Sequence, residues 1–152
     1  MNPALGKIAT DPKLIKNILI VLGVLILLYI GYSQYGKFRS RQRSKKAIKA
    51  SEMEIIENAA TYTEGDYAQM ADKLYAAMKG AGTDEDSLMQ VLGKVKTKTD
   101  WLKIVKAFGV RESGIGPFAF SGNLTEWLTD EIGGTNAATR INYVLEKFDV
   151  TI

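Results

Sequence analysis

Apolar residues follow two different rules along this chain. From Ile18 to Tyr32 they are almost continuous, whereas after Gly65 they recur three and four positions apart. The first rule belongs to a segment in which twenty consecutive residues between Lys16 and Lys37, NILIVLGVLILLYIGYSQYG, carry no charge. As a helix rising about 1.5 Å per residue, such a segment covers roughly the 30 Å of a bilayer's hydrocarbon core. Ile18, Leu22, Leu25 and Leu28 lie in its apolar heart. Tyr29, Tyr32 and Tyr35 crowd its C-terminal end, where amphipathic rings favour the membrane–water interface, and Lys13 and Lys16 can snorkel at the other. A cleaved signal peptide is the competing reading of a short apolar run behind lysines. No small-x-small cleavage site follows, however, and the tyrosines with the basic run behind them read as a stop. The pattern predicts a short tail over 1–16 and a retained transmembrane helix over 17–36.

The second rule gives five helical stripes. Tyr67, Met70, Ala71, Leu74 and Met78 form the first; Leu88, Val91, Leu92 and Val95 the second; Trp101, Ile104, Val105 and Phe108 the third. Leu124, Trp127, Leu128 and Ile132 make the fourth, and Ile141, Val144, Leu145 and Phe148 the fifth. Thr83 stands three residues before Asp86, and Asn123 three before Glu126, which is the spacing of an N-cap with an acidic group against the helix dipole. No stretch alternates as a strand. The prediction is an all-α domain over 64–152, a small five-helix bundle. Between span and domain, AIKASEMEIIENAATY (47–62) has neither Pro nor Gly and sets Ile48, Ile55, Ala59 and Tyr62 at helical spacing. This predicts a stalk continuing the span as one long helix, broken by TEGD at 63–66. The stalk could pack on the domain or pair with another copy of the chain.

Composition narrows the chemistry. Among the 152 residues there is no Cys and no His, which excludes disulfides, thiol and imidazole catalysis and essentially all zinc sites. Carboxylates and main-chain carbonyls remain as ligands, and these suit hard cations. The net charge of +3 conceals a strong asymmetry. Residues 37–49 carry seven basic and no acidic side chains, whereas residues 50–152 carry ten basic and sixteen acidic ones. The collar, with the stalk over 37–63, comprises Lys37, Arg39, Arg41, Arg43, Lys45, Lys46 and Lys49. Basic residues beside a span resist translocation, so residues 37–152 are expected on the cytoplasmic or virion-interior side. Anionic lipid headgroups are the expected partner of the collar, at about 1 kcal/mol per basic residue near the surface. A nucleic-acid backbone is the alternative, since it too requires only cationic charge.

Within the domain, ADKLYAAMKGAGTDEDSLMQVLGKVKTKTDWLKIVKAFG resembles the first three helices of an annexin repeat. The hallmark of that family is a Lys-Gly-x-Gly-Thr-Asp-Glu loop between the first two helices, and NLTEWLTDEIGG is similar to its fourth helix and following loop. The likeness spans about residues 67 to 148. It implies a Ca²⁺ site built from the main-chain carbonyls of Met78, Gly80 and Gly82 and the carboxylate of Glu131, bridging protein and phospholipid. Glycines suit such a loop because they admit positive φ and close backbone approach. A plain helix-stop, turn and N-cap is the other reading of the same residues. Annexins carry four repeats and no span, and the connection GVRESGIGPFAFSG (109–122) is longer here than in the family. That connection is either a partner-binding loop through Ile115, Phe118 and Phe120 or an aromatic cap on the open end of the bundle.

Together these features predict a non-catalytic, single-pass, membrane-anchored scaffolding protein with further protein subunits, or further copies of itself, as partners. Single annexin-like domains point, by resemblance, to a bacterial envelope or a bacteriophage virion membrane. A Ca²⁺-responsive phospholipid-binding module is the first alternative. A cell-wall-active or lysis protein is the second, with Glu57, Glu64 and Asp66 as the carboxylates a glycosidase would require.

Overall fold

Helix α1 (Pro12–Met53) runs unbroken through the apolar segment and the basic collar in the computed structural model, which describes residues 12–80, 82–114 and 120–152. Among the described residues it is the one helix long and apolar enough to cross a membrane. Its most apolar window has a mean hydropathy of 2.5, and none of that window is buried by protein. The chain divides into two compact units, Met1–Phe38 and Arg39–Ile152. In the first, Ile18, Leu22, Leu25, Leu28, Tyr29, Tyr32 and Tyr35 all lie exposed along the helix.

Among the described residues the second unit holds five further α-helices: α2 (Glu64–Met78), α3 (Glu85–Leu92), α4 (Lys98–Phe108), α5 (Leu124–Ile132) and α6 (Asn136–Leu145). Each has the side-chain cap its sequence offers. Thr63, Thr97 and Asn123 form reciprocal capping boxes with Asp66, Asp100 and Glu126, while Thr135 caps α6 through the amide of Ala138. Helix α2 packs mainly on α4 and also on α3. The apolar stripes read from the sequence form the core, in which Tyr67, Leu74, Met78, Leu88, Leu92, Ile104, Leu124, Trp127, Leu128, Ile141 and Leu145 are fully inaccessible. Val144 is partly buried against it.

Three local expectations are corrected. The helix of the stalk ends at Met53, ten residues before the predicted break. From there Ile55, Ala60 and Tyr62 lie on the core through an irregular stretch that contains one 3-10 turn, Glu57–Ala59. TEGD therefore starts a helix rather than ending one. The cap of α3 is Asp84, not Thr83: its carboxylate accepts from the amide of Ser87 at 3.0 Å and the hydroxyl of Ser87 at 2.7 Å. Finally, the 109–122 connection contains a short antiparallel hairpin, β1 (Arg111–Ser113) paired with β2 (Phe120–Gly122), with Glu112 opposite Ser121. Three-residue strands are too short to show alternation. They are held from outside, since the Tyr75 hydroxyl donates to the Glu112 carbonyl and Trp127 Nε1 to the Arg111 carbonyl.

The irregular stretch is fastened by one buried carboxylate. Asp100 is wholly inaccessible and accepts from the Tyr67 hydroxyl at 2.6 Å and the Thr61 amide at 2.8 Å. Its other oxygen accepts from the Lys96 and Thr97 amides, both at 3.1 Å. Burial would push this carboxyl up, but hydrogen bonds from Tyr67, Thr61 and Lys96 outweigh it and hold the group below the usual range. A lowered folded-state value contributes stability that is present above the unfolded value of about 3.9 and lost as the pH falls through the folded one. Asp100→Asn is expected to destabilise the unit by about 2–3 kcal/mol at neutral pH and to flatten the acid limb of the stability profile. Urea unfolding of the full-length protein in neutral detergent at several pH values measures both, and an unchanged midpoint would contradict this role.

Candidate functional site

The glycine loop begins where α2 stops. The Lys79 amide donates to the Tyr75 carbonyl at 2.8 Å, and the chain then turns through Gly80 at φ +143° and Gly82 at φ +91°. The Asp84 amide closes the turn by donating to the Ala77 carbonyl at 2.9 Å. A Cβ at either glycine would meet nothing within 4 Å, so glycine is required here by backbone conformation, not by space. Met78 is fully buried among the core side chains, so it could serve a cation only through its main chain.

Glu131 comes to this loop from the far end of α5. Its Oε2 accepts from the Thr83 hydroxyl at 3.0 Å across 48 positions of sequence. The longer connection thus leaves the carboxylate within reach of the loop, because α5 is fixed independently by Leu124, Trp127, Leu128 and Ile132. Asp84 is committed elsewhere: its bonds from the Ser87 amide and hydroxyl hold its carboxyl below the usual range. No cluster of three or more His, Cys, Asp or Glu side chains forms among the described residues. What the fold brings together here is one hydroxyl, of Thr83, and one carboxylate, of Glu131, beside the glycine turn. Oxygen donors of this kind suit a hard cation such as Ca²⁺.

The collar offers a second surface. In the unit beginning at Arg39, α1 turns Ser40 and Ser44 toward the domain. The Ser40 hydroxyl donates to the Ser121 carbonyl at 2.6 Å, and the buried Ser44 hydroxyl meets the Glu126 carboxylate. Arg41 pairs with Glu112 of β1 and remains about half exposed. Arg39, Arg43, Lys45, Lys46 and Lys49 are exposed.

The remaining predicted positions separate. Phe120 is half-buried and meets the Trp127 ring edge-on at 5.5 Å; Ile115 and Phe118 lie outside the described residues. Glu57 and Glu64 share the nearly buried ammonium of Lys103, at 2.8 and 2.5 Å. The hydrogen bond from Lys103 holds Glu64 low, and the two glutamates hold Lys103 well above its ordinary value. A lowered carboxyl is opposite to what a general acid requires. Asp66 is occupied by the Thr63 capping box.

Asp100 and Lys103, the buried charged pair of positions that organises this region, were not singled out by periodicity. The Thr97-x-x-Asp100 capping pattern was the available signal for the first; a lysine inside an otherwise apolar helix face was the signal for the second. Gly82→Ala should cost about 1–2 kcal/mol through strain alone. Thermal unfolding of the full-length protein checks this, and an unchanged transition would mean that the loop relaxes freely. No protein-family model matches the chain, and no curated protein or solved structure matches it either.

Proposed function

We propose that the protein is a single-pass, membrane-anchored scaffold that carries a small, annexin-like helical domain near a bilayer in a bacterial envelope or bacteriophage virion, where it assembles with other subunits. The observation that carries this reading is the exposed apolar half of α1. From Ile18 to Ile30 its large side chains have no protein cover, and twenty uncharged residues of helix match a bilayer core. Tyr29, Tyr32 and Tyr35 sit where interfacial rings belong, and the basic collar follows them. Catalytic machinery is not part of this reading, since the carboxylates nominated for hydrolysis are engaged in a cap and in ion pairs with Lys103.

The excess of basic residues on the C-terminal flank orients residues 37–152 toward the cytoplasm or virion interior. In sealed right-side-out vesicles carrying the protein, external protease should leave the domain intact until detergent is added. Digestion of the domain in sealed vesicles would reverse this topology.

A Ca²⁺-binding loop is a second reading, favoured by the Thr83–Glu131 hydrogen bond and the positive φ of Gly80 and Gly82. Glu131 would supply the carboxylate, and Met78, Gly80 and Gly82 the carbonyls. Ca²⁺ at roughly ten times its Kd should then stabilise the full-length protein by about 1.4 kcal/mol, and Glu131→Gln should remove that gain. The absence of any shift in Tm at millimolar Ca²⁺ would eliminate this reading.

A further inference from the structure

The collar is one side of a helix whose other side is used for packing. At about 100° per residue, Ser40, Ser44, Ile48 and Ser51 fall on one arc, and these are the less exposed positions. Arg43, Lys45, Lys46 and Lys49 fan over roughly 160° of the opposite arc, with Arg43 at one flank, Lys45 at the other and Lys46 and Lys49 between them. All four are exposed. Among the described residues none of them takes an ion pair, although the rest of the unit is rich in acid. The nearby carboxylates are engaged elsewhere: Glu52 with Lys106, Glu54 with Lys98, Glu112 with Arg41, and Glu126 with Ser44 and the Asn123 amide. The fold therefore preserves this positive charge instead of neutralising it from within.

We propose that this face binds the phosphate backbone of nucleic acid without regard to sequence. The shape of the face favours that polyanion over a bilayer. A helix that lies on a membrane inserts large apolar side chains along its contact line. Between Arg39 and Ala50, the stretch that carries the four cations, the exposed residues other than the basic ones are Gln42, Ala47 and Ala50, so it offers no large apolar side chain; the exposed Phe38 and Met53 lie beyond its two ends. A flat headgroup plane also meets only a narrow arc of a helix. The major groove of a duplex, about 12 Å wide, places phosphates along both flanks of a helix it admits. The acidic remainder of the unit, with sixteen acidic against ten basic residues over 50–152, repels such a partner and confines contact to the collar.

The test uses the full-length protein in phosphatidylcholine nanodiscs and a short fluorescent DNA duplex followed by anisotropy. Incorporation into discs is scored first, so a failed anchor is distinguished from a failed collar. Four phosphate contacts give a slope of log K on log salt of about −3.6, so affinity should fall about 150-fold between about 50 and 200 mM salt. Replacing Arg43, Lys45, Lys46 and Lys49 together by Gln should abolish that salt-dependent binding. The charge-keeping set Arg43→Lys, Lys45→Arg, Lys46→Arg and Lys49→Arg should retain it, as should the control Lys79→Gln with Lys94→Gln. The proposal is overturned if the duplex fails to bind, or if the Gln set binds as tightly as the unaltered protein. It is equally overturned if phosphatidylglycerol in the same disc displaces the duplex, since the face then belongs to lipid headgroups.

Discussion

A single buried carboxylate determines how the C-terminal unit is put together. Asp100 gathers the Tyr67 hydroxyl from α2, the Thr61 amide from the irregular stretch, and the Lys96 and Thr97 amides at the start of its own helix. A charge taken wholly out of water is tolerated only when hydrogen-bonded in this way, and each donor is thereby held in place. Lys103, one turn further along α4, fastens the same region through Glu57 and Glu64. The two groups differ in what they contribute. Asp100 has no solvent alternative, whereas the glutamates around Lys103 are largely exposed and their pairing is correspondingly screened.

With that stretch fixed, the part of α1 that belongs to this unit, from Arg39 to Met53, becomes a wall of it and not a free stalk. Ile48 rests on the core, as does Ile55 just beyond the helix, and Ser40 and Ser44 reach Ser121 and Glu126. Serine is suited to this contact because a small side chain permits close approach, and the Ser40 and Ser44 hydroxyls both find acceptors there. Glu126 serves twice, since the oxygen that meets Ser44 also accepts from the Asn123 amide in the α5 capping box. The hairpin is drawn into the same assembly by Arg111, whose guanidinium stacks 4.8 Å from the Tyr75 and Phe108 rings and bonds Asp72 at 2.6 Å.

Much of this was legible in the amino-acid order. The five helices follow from apolar stripes whose members, Val144 apart, are buried in the structure, and the Asn123–Glu126 box from its spacing. The apolar segment is equally plain because it needs no partner to be read. What escaped depends on contacts distant in sequence. Nothing local ends α1 at Met53; the Asp100–Thr61 bond and the burial of Ile55 and Tyr62 do so. Thr83 and Asp84 are both competent caps, and Thr83 yields the role while its hydroxyl turns to Glu131, 48 positions away. The strands of the hairpin are fixed by Tyr75 and Trp127, which a three-residue pattern cannot reveal. At the glycine loop the residue types were readable, but the approach of Glu131 depends on the placement of α5.

Residues 44–53 of α1 are docked on the helical core, so that one side of the helix is committed to packing and the other is left charged. Amide hydrogen exchange on the full-length protein in neutral nanodiscs reads this directly, because a helix end without tertiary support frays while a docked one opens only with its unit. Docking requires amides 48–53 to exchange in the same slow class as those of α2 and α4, and to be released together with them in Asp100→Asn. Fast exchange of 44–53 while α2 and α4 remain protected would contradict it.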